Sequence, residues 1–340
     1  MHAANYNNLG QVYWKLRNYD EALKHYNKAL EIYEEVLEKD YPLIATCYNN
    51  IGLVYDSLKK YDKALENHNK ALEIKKEVYG EMHPSTASSY DNIGIVCIDL
   101  EEYDTALQFS SYALEIFKEV LGENNSHTAG CYNNIGIVYQ YLRDYDKALE
   151  NHNKALEIRK AALGENHPDT AESYDSIGYV YDELGDYDKA LEYYNKALEI
   201  FKVVLGEKHP DTTNSYRNIG CVYTNLGADS FDSEDYNNAL KYFNKTLEIF
   251  KDVLGESHPD TQHTLQNIAI AKRKLEESQC KTEETIIVQE TPQENVKEPE
   301  VIQEESQGNT EEPEVAQEIQ QNKTEEPKKK KGFFSKLFGE

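Results

Sequence analysis

The chain has 340 residues, 39% of them hydrophobic and 29% charged, and 36 Lys and Arg against 62 Asp and Glu give a formal net charge of −26. That balance argues against non-specific nucleic-acid binding, which needs cations to neutralise phosphates. No run of 18 apolar residues occurs, so no transmembrane helix is expected, and Met1-His2-Ala3-Ala4-Asn5 lacks the basic-then-apolar pattern of a secretory leader. Five cysteines, at positions 47, 97, 131, 221 and 280, form no C-x-x-C pair, and reduced thiols in a cytoplasmic protein are the simplest expectation.

An internal period organises most of the chain. Gly10, Gly52, Gly94, Gly136, Gly178 and Gly220 lie 42 residues apart, each in a phrase such as Tyr48-Asn49-Asn50-Ile51-Gly52-Leu53-Val54-Tyr55. A second phrase follows at fixed distance, as in Tyr61-Asp62-Lys63-Ala64-Leu65, and a third, as in Gly164-Glu165-Asn166-His167-Pro168-Asp169-Thr170, closes the unit. Tyr48, Ile51, Val54, Tyr55 and Leu58 recur at spacings of three and four, one face of a helix. Tyr61, Ala64, Leu65, His68, Ala71 and Leu72 do the same.

In chain order, first helices are predicted at 2–16, 43–58, 85–100, 127–142, 169–184, 211–226 and 260–275. Second helices are predicted at 19–37, 61–79, 103–121, 145–163, 187–205 and 236–254. A mid-helix Gly costs roughly 1 kcal/mol against Ala, so six in register imply a close helix crossing. Pro84, Pro168, Pro210 and Pro259 stop the preceding segment, and Ser85, Asp169, Asp211 and Asp260 after them offer oxygens to the next N-terminus. The seventh repeat glycine position is reached late, at Ala269, because Ala228 to Glu234 is a seven-residue insertion. It reads as a longer surface turn, with Phe231 the one large apolar residue available at a groove edge.

Tyr48, Ile51-Gly52, Tyr55, Ala64, His68 and Ala71 fall where the tetratricopeptide repeat carries its aromatic, Leu-Gly, Tyr and small-aromatic-small signature, and residues 1–275 resemble that family. The period of 42 rather than 34 is similar to the repeats of kinesin light chains and related adaptors. The resemblance implies an all-α superhelical solenoid of six repeats plus a final capping helix, with first helices lining a concave face. Most of the 27 tyrosines then pack between helices. Ser110 replaces the aromatic or His of other repeats, and Tyr41-Pro42-Leu43 and Asn125-Ser126-His127 replace the His-Pro-Asp loop, so looser packing is expected there.

The strongest functional signal is a column of amides. Asn8, Asn50, Asn92, Asn134, Ser176 and Asn218 stand two residues before each Gly, and Asn267 two before Ala269. Asn7, Asn49, Asp91, Asn133, Asp175, Arg217 and Gln266 stand one residue earlier. Asn is a poor helix former, and its side chain both donates and accepts, which suits reading the backbone of an extended peptide. In the resembling family this inner position contacts peptides, so Asn8, Asn49, Asn50, Asn92, Asn133, Asn134, Arg217, Asn218 and Asn267 are the candidate peptide-binding set. The competing reading is an amide bonded to the neighbouring helix. Only Arg217 in the outer column is basic, so a clamp for acidic C-termini is not expected. The −17 carried by residues 1–275 favours neutral or basic ligands.

His83, His167, His209 and His258 each precede Pro, but each sits in a separate connection, too far from the others to share one metal ion. No nucleophile–base pair or phosphate-binding glycine loop stands out, so neither an enzyme nor a cofactor is expected.

Residues 276–327 hold 16 Glu and no aromatic residue, and read as an acidic disordered linker with a net charge of −13. Residues 328–340 carry +4. There Lys328, Lys329, Lys330 and Lys331 precede Phe333, Phe334, Leu337 and Phe338, a basic amphipathic tip suited to an anionic membrane, to a protein partner or to the acidic solenoid itself. The expected function is a protein–protein interaction scaffold or adaptor. The alternatives are a cargo adaptor of a microtubule motor, like a kinesin light chain, and a regulatory protein tethered to membrane by the tip. Neither an N-terminal heptad segment nor a capping residue precedes the first helix, which raises the expectation of a truncated start.

Overall fold

The computed structural model describes residues 2–36 and 41–290, which form thirteen α-helices and no strand. They fall into two compact units divided after Gly206. The first unit contains α1 (His2–Lys15), α2 (Tyr19–Val36), α3 (Tyr41–Ser57), α4 (Tyr61–Tyr79), α5 (Pro84–Asp99), α6 (Tyr103–Leu121), α7 (Ser126–Tyr141), α8 (Tyr145–Leu163), α9 (Pro168–Glu183) and α10 (Tyr187–Leu205). The second contains α11 (Pro210–Asp232), α12 (Tyr236–Leu254) and α13 (Pro259–Glu290). Within each unit consecutive helices pack antiparallel, odd-numbered first helices against even-numbered second helices.

Each pair is locked by a seat between a glycine and a side chain sixteen residues on. A Cβ added at Gly10, Gly52, Gly136 or Gly178 would fall 2.6, 2.6, 2.7 or 2.9 Å from the ring of Tyr26, His68, His152 or Tyr194. The ring fills the space that any larger residue would occupy. At the expected weak point the seat is filled by a smaller side chain together with backbone. Ser110 is buried, and a Cβ on Gly94 would lie 2.8 Å from its Oγ and 3.4 Å from its backbone nitrogen.

The joints between pairs alternate in chemistry along the first unit. Tyr33 and Cys47 share one buried cluster, and Phe117 and Cys131 another. At the equivalent places in the joints between, Lys75 donates to Ser89 Oγ at 2.9 Å, and the fully buried Arg159 donates to Ser173 Oγ at 2.9 Å and to the Asp169 carbonyl at 2.7 Å. A cation faces a hydroxyl where an aromatic ring faces a thiol in the neighbouring joint. Burial pulls the Lys75 ammonium down to about 8.

Helix starts correct one detail of the sequence reading. The caps are the histidines, not the residues after proline. Nδ1 of His83, His167, His209 and His258 accepts the N–H of Ser85, Asp169, Asp211 and Asp260 at 3.1–3.3 Å. The intervening Pro84, Pro168, Pro210 and Pro259 open their helices, where a missing N–H costs nothing. Asn125 caps α7 in the same way, its Oδ1 accepting from His127 at 2.9 Å.

The insertion is helix rather than turn. α11 runs 23 residues, and Gly227 takes the repeat seat, 2.5 Å from Phe243 Cε1 for an added Cβ, while Gly220 faces Phe250. Seven residues are nearly two helical turns, so the extra segment returns the apolar face to register with about 20° of drift. Phe231 is therefore buried, edge-on to Tyr236 at 5.2 Å, and not at a ligand edge. α13 also outruns its expected end at residue 275 and continues to Glu290, so the stretch 276–290 is helical rather than part of an unstructured linker. Its Glu, Lys, Gln and Ile content opposes no helix.

Candidate functional site

The two amide columns meet each other across successive first helices. Asn50 Nδ2 donates to Asn7 Oδ1 at 3.0 Å, Asn92 Nδ2 to Asn49 Oδ1 at 2.7 Å, and Asn134 Nδ2 to Asp91 Oδ1 at 2.9 Å. Every rung links residues 43 apart, one repeat plus one position. A helical Asn is tolerated here because its amide nitrogen is committed to the neighbouring first helix, which is the competing reading of the column. The same bond fixes the amide plane and leaves the oxygen to find its own donor. Asn134 Oδ1 is buried and has none.

Accessibility divides the candidate set. Asn8 is exposed, Asn49 and Asn50 are half-buried, and Asn92, Asn133, Asn134, Asn218 and Asn267 are buried. Asn133 Oδ1 lies 3.1 Å from His152 Nδ1 beneath the Gly136 seat, so this residue is engaged by its own repeat. Arg217 is held by Asp260, with Nε and a terminal nitrogen 3.1 and 3.0 Å from Oδ2. The one basic residue of the outer column is thus neutralised within its own unit. Lys328, Lys329, Lys330, Lys331, Phe333, Phe334, Leu337 and Phe338 lie outside the described residues.

One rung contains a buried carboxylate. Burial pushes the Asp91 carboxyl up to about 6, while donation from Asn134 and from Cys131 Sγ, at 3.6 Å, favours its ionised form. Seven residues beyond Asn49 in α3, burial and the nearby Asp99 push Asp56 up to about 7. Cys47, Cys97 and Cys131 are buried free thiols, raised by burial and so poorly nucleophilic. Among the described residues no group of three or more His, Cys, Asp and Glu could hold a metal ion, and no helix is long and apolar enough to cross a membrane.

The outer surface repeats a different cluster. Lys118 reaches Glu123 at 3.0 Å and Tyr132 Oη at 3.2 Å, and Lys160, Glu165 and Tyr174 repeat the trio one joint later. These ties cross the connection between one second helix and the next first helix. These pairs are exposed and screened by solvent, so they orient the joint more than they stabilise it.

The geometry is that of an α-helical repeat protein, and the comparisons agree. Tetratricopeptide repeat models match residues 2–77, 57–119, 85–161, 127–202, 183–224 and 219–279, and the chain belongs to this family. The fold is similar to the crystal structure of BtubC (BKLC) from P. vanneervenii, with 29% identity, a TM-score of 0.51, and coverage of 59% of this chain and 80% of that one. It is also similar to a Rap protein complexed with Competence and Sporulation Factor, at 20% identity and TM-score 0.57, covering 81% and 76%. A variant of a Podosopora anserina putative kinesin light chain with TPR-like repeats matches at 15% identity and TM-score 0.50, covering 63% and 98%. No curated protein matches the chain.

Proposed function

We propose that the protein is a protein–protein interaction scaffold that binds extended peptide segments on the face carried by its first helices. The observation that carries this reading is the asparagine ladder along successive first helices, of which Asn49 and Asn50 stay half-buried and so within reach, beside the exposed Asn8. An extended peptide presents alternating N–H and C=O groups, and a row of amides held in fixed orientation can read them whatever the side chains are. Tetratricopeptide repeats in general serve protein interaction, and the Rap protein of similar fold holds a factor in its complex, which supports the same use here. The net charge of −17 on residues 1–275 selects neutral or basic segments over acidic ones.

The test is a peptide-display selection on the full chain, followed by affinity measurement on Asn50→Ala and Asn92→Ala together. Each lost side-chain bond is worth ~0.5–1.5 kcal/mol, so the pair should weaken the selected peptide about 5- to 100-fold while circular dichroism holds its helical signal. Unchanged affinity in a folded double variant removes the ladder from recognition.

A further inference from the structure

One face of α1 is apolar and uncovered. Leu9 is 43% exposed, Val12 52% and Leu16 70%, and their spacings of three and four put them on one side of the helix. The same positions are closed in the repeats that follow. Ile51, Ile93, Ile135 and Ile177, the counterparts of Leu9, are at most 7% exposed, and Val54, Val96, Val138 and Val180, the counterparts of Val12, at most 1%. A preceding second helix supplies the cover: Leu30 and Tyr33 of α2 share one buried cluster with Ile51 and Val54 of α3. Among the described residues no second helix precedes α1. End repeats of such arrays need a polar outer face, and Leu9 and Val12 do not provide one.

The C-terminal tip is written like the helices that give this cover. In α6 and the connection after it the covering stretch reads Ile116-Phe117-Lys118-Glu119-Val120-Leu121-Gly122-Glu123. Residues 333–340 read Phe-Phe-Ser-Lys-Leu-Phe-Gly-Glu, with apolar residues at the same four places and the same second Phe and closing Gly-Glu, without a gap. α10 and α12 carry the same phrase from Ile200-Phe201 and Ile249-Phe250. Ile116 and Phe117 are 5% and 1% exposed and share one buried cluster with Val138, the counterpart of Val12.

We propose that residues 333–340 dock on the Leu9–Val12 face of α1, in the place that a preceding second helix takes at the later joints, so that the chain caps its own first repeat. Charge favours the contact, since residues 328–340 carry +4 and residues 1–275 carry −17. So does length. The stretch between Glu290 and Phe333 can extend to about 140 Å, more than thirteen helices side by side at 8–10 Å would span. The proposal goes beyond the amide ladder and does not rest on it.

The probe is a fluorescein-labelled peptide of residues 326–340. It is titrated by anisotropy against the full chain in which Phe333→Ser and Phe334→Ser remove the internal competitor. Adding Leu9→Glu and Val12→Glu to that chain should weaken binding about tenfold or more, as the loss of two buried aliphatic contacts implies. Both residues are exposed in the chain, so this variant should keep the melting temperature of its Ser-tip parent. A probe carrying Phe333→Ser and Phe334→Ser should lose as much, which tests the contact without altering the folded chain. A probe with its four consecutive lysines replaced by Gln should lose less than that. The chain with its natural tip should bind the probe several-fold more weakly than the Ser-tip chain, and its α1 amides should exchange more slowly. Absence of probe binding, or binding that Leu9→Glu and Val12→Glu leave unchanged, overturns the proposal. So does a greater loss from the lysine changes than from the Phe changes, which would make the contact one of charge alone. Equal probe affinity and equal α1 exchange for natural and Ser tips also overturn it. A natural-tip chain that sediments as a dimer, and as a monomer once Phe333 and Phe334 are Ser, would move the contact between copies and overturn self-capping.

Discussion

Asn134 in α7 gives its amide hydrogen to the carboxylate of Asp91 in α5 across 2.9 Å, with both side chains buried. Replacing Asn134 by Ala removes the principal donor and leaves Asp91 with the thiol of Cys131. The expected cost is ~1.5–3 kcal/mol, that of a hydrogen bond to a charged group in the interior. Asp91→Asn should be close to neutral, because Asn92 and Asn49 already show that an amide–amide rung fits this fold. Urea titration of the two variants checks the contrast, and equal destabilisation by both would contradict it.

Gly136→Leu should destabilise the α7–α8 pair by ~1–3 kcal/mol through overpacking, since even a Cβ would lie 2.7 Å from His152 Cε1. Stability in repeat arrays is nearly a sum over nearest neighbours, so α5 to α10 should lose hydrogen-exchange protection before α1 and α2. Uniform protection across the first unit of the variant would count against the seat.

Most of this architecture is legible in the sequence. The 42-residue period, the second-helix limits from Tyr61 to Tyr79 and onward, and the crossing glycines follow from spacing alone. The insertion does not, because one alignment anchored on Asp211 points to Gly220 and another anchored on Tyr236 points to Gly227. Each glycine keeps nine residues to its own anchor, and only packing shows that Phe243 chose the second. The histidine caps were hidden because oxygen side chains are the usual cap residues, while an Nδ1 lone pair does the same work two residues ahead. The columns of Asn, Asp and Arg are visible as a pattern. That they bond to one another at an offset of 43 requires the helices to be placed side by side.

Deleting Cys221 to Gly227 should preserve the fold of α11 to α13, with Gly220 moving into the seat against Phe243. The heptad removes about two turns and leaves the apolar face in phase. Deleting only Cys221 to Thr224 turns the following residues by roughly 40° and removes one turn, so the register of Phe231 and Gly227 against α12 is lost. The shorter deletion should lower the melting temperature more than the longer one. The reverse order would contradict the heptad account.

His68 and His152 sit wholly buried under their glycines and are held at about 3, first by burial and then by Lys75 and Arg159 respectively. Their folded values lie below the free value of 6.5, so between 6.5 and 3 the unfolded chain takes up protons that the native state refuses. The stability they contribute is complete above 6.5 and is lost as pH falls through that window. His152→Tyr fits the seat that Tyr194 occupies under Gly178 and removes one of the two linkages. Lowering the pH from 7.5 to 4.5 should therefore cost the variant ~2–3 kcal/mol less than the parent, by urea midpoint. An identical pH response would show that His152 titrates freely.

The central claim, that first helices form the binding face, is tested most directly by hydrogen–deuterium exchange of the full chain with and without a saturating display-selected peptide. The account predicts slowed exchange in α3, α5, α7 and α9, centred on the rungs Asn49–Asn92 and Asp91–Asn134. Protection confined to the outer surfaces of α4, α6, α8 and α10, with those first helices unchanged, would contradict it.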